Sequence, residues 1–214
     1  MKNILTLTLL LGSLVFFCIA CQSTSPSTIT RKVVTETITD TRDNQIYGII
    51  KIGSRIWMAE NLRYEVEGAW GNPKNPRTEY GRLYNWETAK NACPKGWGLP
   101  SDADWKELEI ALGMSKVDAD ARGWRGTQGE ILKSKTGWGD RNNGNNRSGF
   151  NVLPAGDCSP SGRFLGLGES TSFWTATLDG SASAWNRHFE VGKDAVNRYT
   201  NNVKIGLSCR CIKD

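Results

Sequence analysis

Histidine is almost absent from this 214-residue chain: there is one, His188. It lies between Arg187 and Phe189 in a strand-like stretch, with no Ser or Cys at motif spacing, so it reads as a surface or structurally satisfied residue and not as a general base. No second Cys/His cluster exists to complete a metal site around Cys209-Arg210-Cys211. Charge of one sign never accumulates. The densest basic group, Arg122, Arg125, Lys133, Lys135, Arg141 and Arg147, is interrupted by Glu130 and Asp140, which excludes a nucleic-acid patch. No repeat of fixed period occurs. Long helical patterns are scarce, which favours short strands and loops.

What is present begins with an address. Lys2 precedes an apolar run at residues 4–20, and Cys21 follows Ala20. The layout predicts a bacterial lipoprotein signal over residues 1–20 and lipidation of Cys21. The run is too short for a membrane-spanning helix. Several acyl chains on Cys21 would anchor the protein firmly. Residues 21–39 are rich in Ser and Thr, so we expect a tether. The expected location is the bacterial cell envelope, the partner there being the membrane itself. Removing residues 1–20 takes away one base and no acid, leaving a formal charge of +4. The rest, from residue 40, is the size of one domain.

Nine Trp and 23 Gly stand out in that domain. Trp fills a core with few residues, and Gly supplies turns. Cys93, Cys158, Cys209 and Cys211 remain once Cys18 leaves with the signal and Cys21 takes lipid. An even count in an exported chain predicts two disulfides, with three pairings open. Cys209–Cys211 is the least favoured, because side chains two apart on a strand run parallel.

The clearest helix runs over residues 102–112. Ser101 is its N-cap, Asp104 a shortened capping-box partner, and Trp105, Leu108, Ala111 and Leu112 its apolar stripe. Gly113 ends it. Residues 84–92 are also helix-like. Strands are expected at 43–47 and 48–53, with a Gly53-Ser54 turn into 55–58, and at 150–154, 172–177, 183–191 and 201–211. A short strand is expected at 129–133. Residues 139–149 are an exposed Asn- and Gly-rich loop.

Several motifs in order resemble the Fibrobacter succinogenes major paralogous domain. They are Ile56-Trp-Met-Ala-Glu-Asn-Leu62, Tyr80-Gly-Arg-Leu-Tyr-Asn-Trp86, Ala92-Cys-Pro-Lys-Gly-Trp-Gly-Leu-Pro-Ser101, Asp104-Trp105 and Gly149-Phe-Asn-Val-Leu-Pro154. Phe173-Trp-Thr-Ala-Thr177, Ala184-Trp185 and the ending from Gly206 complete the set, which covers roughly residues 40–214. The resemblance implies exported, often lipid-anchored proteins with no settled activity. It implies an α+β, C-type-lectin-like domain, related to formylglycine-generating enzymes. Two short helices would stand beside a twisted, mostly antiparallel, loop-rich sheet with its first and last strands adjacent. It also implies Cys93–Cys211 as the shared disulfide and Cys158–Cys209 as an added one.

For function we expect a non-catalytic binding or adhesion module, for carbohydrate or an envelope protein, with no cofactor and no nucleic acid. Candidate ligand contacts are Trp138, Arg141, Asn142, Asn145 and Arg147, in and beside the exposed loop. Calcium-dependent sugar binding is not expected, since Trp185-Asn186-Arg187 puts a cation where a lectin of that fold carries a carboxylate ligand. The alternatives are an oxidoreductase like the formylglycine generators, which would need a reactive Cys209/Cys211 pair, and a structural envelope protein.

Overall fold

The computed structural model describes residues 36–139 and 143–214. The expected signal, Cys21 and most of the expected tether lie outside the described residues. The end of the tether does not: Glu36–Thr39 forms an edge strand, β1, paired with the next strand, and Ile38 packs on the core.

The chain continues through β2 (Ile46–Ile52), β3 (Arg55–Met58), β4 (Ala69–Trp70) and β5 (Leu83–Tyr84) to helix α1 (Trp86–Ala92) and β6 (Trp97–Gly98). Helices α2 (Asp102–Ala111) and α3 (Lys116–Asp120), strand β7 (Gly123–Arg125) and helix α4 (Gln128–Leu132) follow. After a long loop come β8 (Ala155–Cys158), β9 (Phe164–Leu167), β10 (Ser170–Leu178), β11 (Ser183–Glu190), β12 (Val196–Asn202), β13 (Leu207–Ser208) and β14 (Ile212–Lys213). The architecture is α+β, loop-rich and mostly antiparallel. One sheet has the order β1-β2-β3-β14-β6, and the other β4-β5-β13-β10-β11-β12-β7, with β8 and β9 branching from β10. The parallel strand pairings are β10 with β13 and β10 with β8. The last strand lies beside β3 and β6, so it does not adjoin the first described strand.

Local chemistry accounts for the elements that the sequence made legible. Ile52 pairs with Arg55 across the two-residue turn Gly53-Ser54, where Gly53 has φ +60°, as a tight hairpin requires. Ser101 accepts from Asp104 N, and Asp104 reaches back to Ser101 N, a complete capping box. Trp105 and Leu108 are buried on α2, but Ala111 is exposed and Glu109 is buried in its place.

That acid has a reason to be inside. Glu109 receives Arg125 at 2.9 and 3.0 Å and Arg187 at 2.7 Å, while Asp102 receives Arg187 at 2.8 Å and Arg198 at 2.8 and 2.9 Å. Each of these three guanidiniums is thus paired, tying α2 to β7, β11 and β12. Burial works to raise the Asp102 pKa, but Arg198 and Arg187 outweigh it and hold the carboxyl well below its usual range. Under α2, Trp57, Trp105, Phe150 and Phe173 pack at 5.3–5.7 Å between ring centroids.

Three of the expected strands change. The expected strand at 129–133 is helix α4, and α3 precedes it, giving four short α-helices among the described residues where two were expected. Residues 150–154 make only an isolated bridge, Val152 to Lys133. The expected strand at 201–211 is broken by a turn, so β12, β13 and β14 are separate.

Cys93 and Cys211 form a disulfide. Cys158 and Cys209 do not pair; both are buried free thiols. Cys158 bridges Gly206 by its backbone and packs with Tyr80, Leu83 and Leu153, whereas Cys209 packs with Tyr84, Trp86 and Trp174. The two thiols therefore sit in different core clusters.

Candidate functional site

The expected ligand contacts do not converge. Trp138 is fully buried, and its indole Nε1 donates to Ser134 Oγ at 3.1 Å and Val152 O at 3.0 Å. It anchors the loop and offers no ring face to a ligand. Asn145 is spent on Glu130, donating from its side chain at 2.9 Å and from its backbone at 2.9 Å. Arg147 is exposed. Arg141 and Asn142 lie outside the described residues.

A different place gathers polar side chains around a concavity. A groove of about 810 Å³ is lined by Arg42, Arg63, Arg77 and Arg82 together with Tyr64, Glu65, Asn75 and Thr78. Arg42 and Arg63 are each fixed from several sides. Arg42, in the β1–β2 turn, grips buried Asp40 through Nε at 2.9 Å and Nη2 at 2.6 Å, and Nη2 also donates to Ala92 O at 2.7 Å. Its guanidinium lies 3.8 Å from the centre of the Tyr64 ring. Burial alone would raise the Asp40 pKa; the Arg42 hydrogen bonds and charge hold it below the usual value. Arg63, just after β3, lies 4.3 Å from the centre of the Tyr47 ring and donates to Glu60 at 2.8 Å, Gln45 at 2.7 Å and Ile46 O at 2.5 Å. Burial pushes the Tyr47 phenol up to about 12.

The opposite wall comes from residues 71–82. Asn75 Nδ2 donates to Gly81 O at 3.1 Å, while its Oδ1 is buried without a partner. Arg77 pairs with Glu79 at 3.0 Å, and Arg82 with Glu65 at 2.5 Å. Gly71 lies beneath Arg82: a Cβ there would stand 3.3 Å from Nη1, so the guanidinium would shift by a few tenths of an ångström to admit one. Guanidinium forks held by stacking and carboxylates are preorganised donors for a polar ligand. None of these arginines was a candidate from sequence. They come from three separated segments, and the register that joins them is not a local signal.

His188 also has partners that the sequence concealed. β10 and β11 pair with Ser172 opposite His188, and Ser172 Oγ lies 3.0 Å from Nδ1 while Glu190 lies 3.5 Å from Nε2. Trp124 and Tyr199 meet the imidazole edge-on, with centroids at 5.6 and 5.8 Å. Burial lowers the imidazole pKa, and Glu190 opposes the shift. Ser172 is 3% exposed, so substrate has no approach to its hydroxyl.

Among the described residues, one group of three metal-ligating side chains lies close enough to share an ion: Cys93, Cys209 and Cys211, with sulfurs within 4.8 Å of one another. Two of those sulfurs are joined in the disulfide, which leaves a single thiol as ligand. At Trp185-Asn186-Arg187, Arg187 turns into the core toward Asp102 and Glu109, so those carboxylates are engaged by cations.

Comparison with curated proteins and comparison with solved structures each give no match. A family model does match, over residues 50–213, the stretch that carries both groove walls from Arg63 onward, the capped helix and the disulfide. The chain belongs to the family described as the Fibrobacter succinogenes major domain.

Proposed function

We propose that this chain is a cell-envelope lipoprotein whose folded part is a non-catalytic binding or adhesion module, taking glycans or envelope partners in the arginine groove. The groove carries the reading: it is concave and brings four guanidiniums together, two of them held from several sides by Asp40, Ala92 O, Glu60, Gln45 and Ile46 O. The layout around Cys21 supports envelope anchoring, and no described helix is long and apolar enough to cross a membrane.

An oxidoreductase like the formylglycine generators is less well supported. Cys211 is bonded to Cys93, so it forms no reactive pair with Cys209. Burial pushes the Cys209 thiol up to about 12, and the thiol form is a poor nucleophile.

Two measurements test the proposal. Labelled fatty acid fed to expressing cells should enter the wild-type chain and not Cys21→Ala; equal labelling would remove the anchor. A glycan array probed with the purified full-length chain should show binding that Thr78→Trp, which fills the groove, abolishes. Binding unchanged in Thr78→Trp would move the site elsewhere. No binding to any glycan or envelope fraction would leave the structural-protein alternative.

A further inference from the structure

We propose that the groove selects ligands bearing a carboxylate, and that Glu65 occupies on Arg82 the position that the ligand's carboxylate takes. This rests on the groove being the binding site.

The four arginine–carboxylate pairs are not equivalent. Asp40 is fully buried beneath Arg42, and the side chains of Glu60 and Glu79 are 29% and 32% exposed. Glu65 is 80% exposed, while its partner Arg82 is 23% exposed and backed by Gly71. So the cation is largely covered by the fold, while the anion stands out in solvent. Glu65 reaches Arg82 at Nη2, at 2.5 Å. A guanidinium is a planar fork suited to donating two parallel bonds to a carboxylate.

An exposed pair of this kind contributes little to stability and is screened by salt. Swapping Glu65 for an incoming carboxylate therefore costs little, provided that the ligand gains contacts Glu65 lacks. Those are at hand: the exposed Thr78 hydroxyl and the Arg77 guanidinium line the same wall. A chain of sugars with acid groups, such as a polyuronate, presents hydroxyls and carboxylates together. An acidic peptide fits less well. Peptide recognition leans on apolar side-chain pockets or on a free strand edge, and the Tyr64 ring in this groove is covered by Arg42.

The test is titration calorimetry on the full-length chain at low salt, with oligogalacturonate, a neutral cello-oligosaccharide and poly-glutamate as probes. We expect oligogalacturonate to bind, to weaken with added salt, and to weaken at least tenfold in Arg82→Gln. In Glu65→Gln it should tighten two- to fivefold, since the internal competitor is gone. Because Glu65 is exposed, that variant keeps the fold, and a gain in affinity is not something misfolding produces. Equal binding of the neutral sugar, still blocked by Thr78→Trp, would overturn carboxylate selection while leaving the groove intact. No change in Glu65→Gln would overturn the place-holder role. Poly-glutamate binding as tight as oligogalacturonate, with the same response to Glu65→Gln, would overturn the assignment to sugars.

Discussion

The Cys209 sulfur lies 3.9 Å from that of Cys93, close to a formed disulfide, yet the arrangement resists exchange. Attack on a disulfide runs along the S–S axis, which would put the two outer sulfurs roughly 6 Å apart. All three sulfurs lie within 4.8 Å of one another, so Cys209 stands beside the bond and not behind it. Burial adds a second obstacle by keeping the thiol protonated. Alkylation of native, unreduced protein should therefore leave Cys209 and Cys158 unmodified. Denaturation without reductant should expose both to iodoacetamide while peptides of Cys93 and Cys211 stay linked. A Cys93–Cys209 linkage in the peptide map would show that exchange does occur. His188 gives a second residue-scale expectation. Its folded pKa lies below its ordinary value of 6.5, so as pH falls the unfolded state takes up the proton first. Its contribution is complete above pH 6.5 and is lost on acidification from there toward the depressed folded pKa. Melting temperature between pH 5 and pH 8 should fall less steeply in His188→Gln than in wild type; an unchanged slope would mean that the imidazole does not titrate on unfolding.

At the scale of elements, α2 separates what is legible from what is not. Its cap is local: Ser101 and Asp104 are three residues apart, and the sequence alone places them. Its buried face is not local. Glu109 is inside because Arg125 and Arg187 meet it from strands 16 and 78 residues away, and no periodicity announces an acid on the core side. Helix α4 is concealed for a related reason. It has five residues, and Gly129 is there because a Cβ would run into the carbonyls of Asp194 and Ala195 at 2.6 and 2.8 Å. That glycine answers to tertiary packing and weakens the local helical pattern. Trp138 misleads in the opposite direction, since a Gly- and Asn-rich neighbourhood marks the loop correctly but says nothing of the ring that pins it. The consequences are measurable. Ser101→Ala removes one cap and should cost about 1 kcal/mol, a fall in melting temperature of roughly 2–4 °C. Glu109→Gln leaves two buried guanidiniums short of a charge and should cost about 3 kcal/mol, roughly 6–12 °C. Equal effects from the two variants would mean that the buried network contributes no more than a surface cap.

For the whole described fold, the segment Cys209-Arg210-Cys211 is the joint. β13 belongs to one sheet and β14 to the other, so the chain crosses between sheets in these three residues. Each has a different task. Cys209 fills the core on one side, and Cys211 ties the crossing to the end of α1 through Cys93. Arg210 is fully buried, donating to Asn61 Oδ1 at 2.5 Å and to the carbonyl of Phe150, with its guanidinium 4.5 Å from the Phe150 ring centre. Burial pulls its pKa down to about 9, with Glu60 opposing. The disulfide and the arginine secure the same joint by different physics, and denaturant titration can tell them apart. The disulfide spans 118 residues, and the chain-entropy model assigns such a closure about 5 kcal/mol, acting on the unfolded state. A Cys93→Ala/Cys211→Ala variant should therefore lower the urea midpoint by roughly 2.5 M, for an m-value near 2 kcal/mol/M, and should raise m because its unfolded chain is more open. Arg210→Met acts on the native state instead. It strips donors from Asn61 and Phe150 O, so it should lower the midpoint with m unchanged. If the two variants change m alike, the disulfide is acting through native contacts at the joint, and the entropic account of this crossing fails.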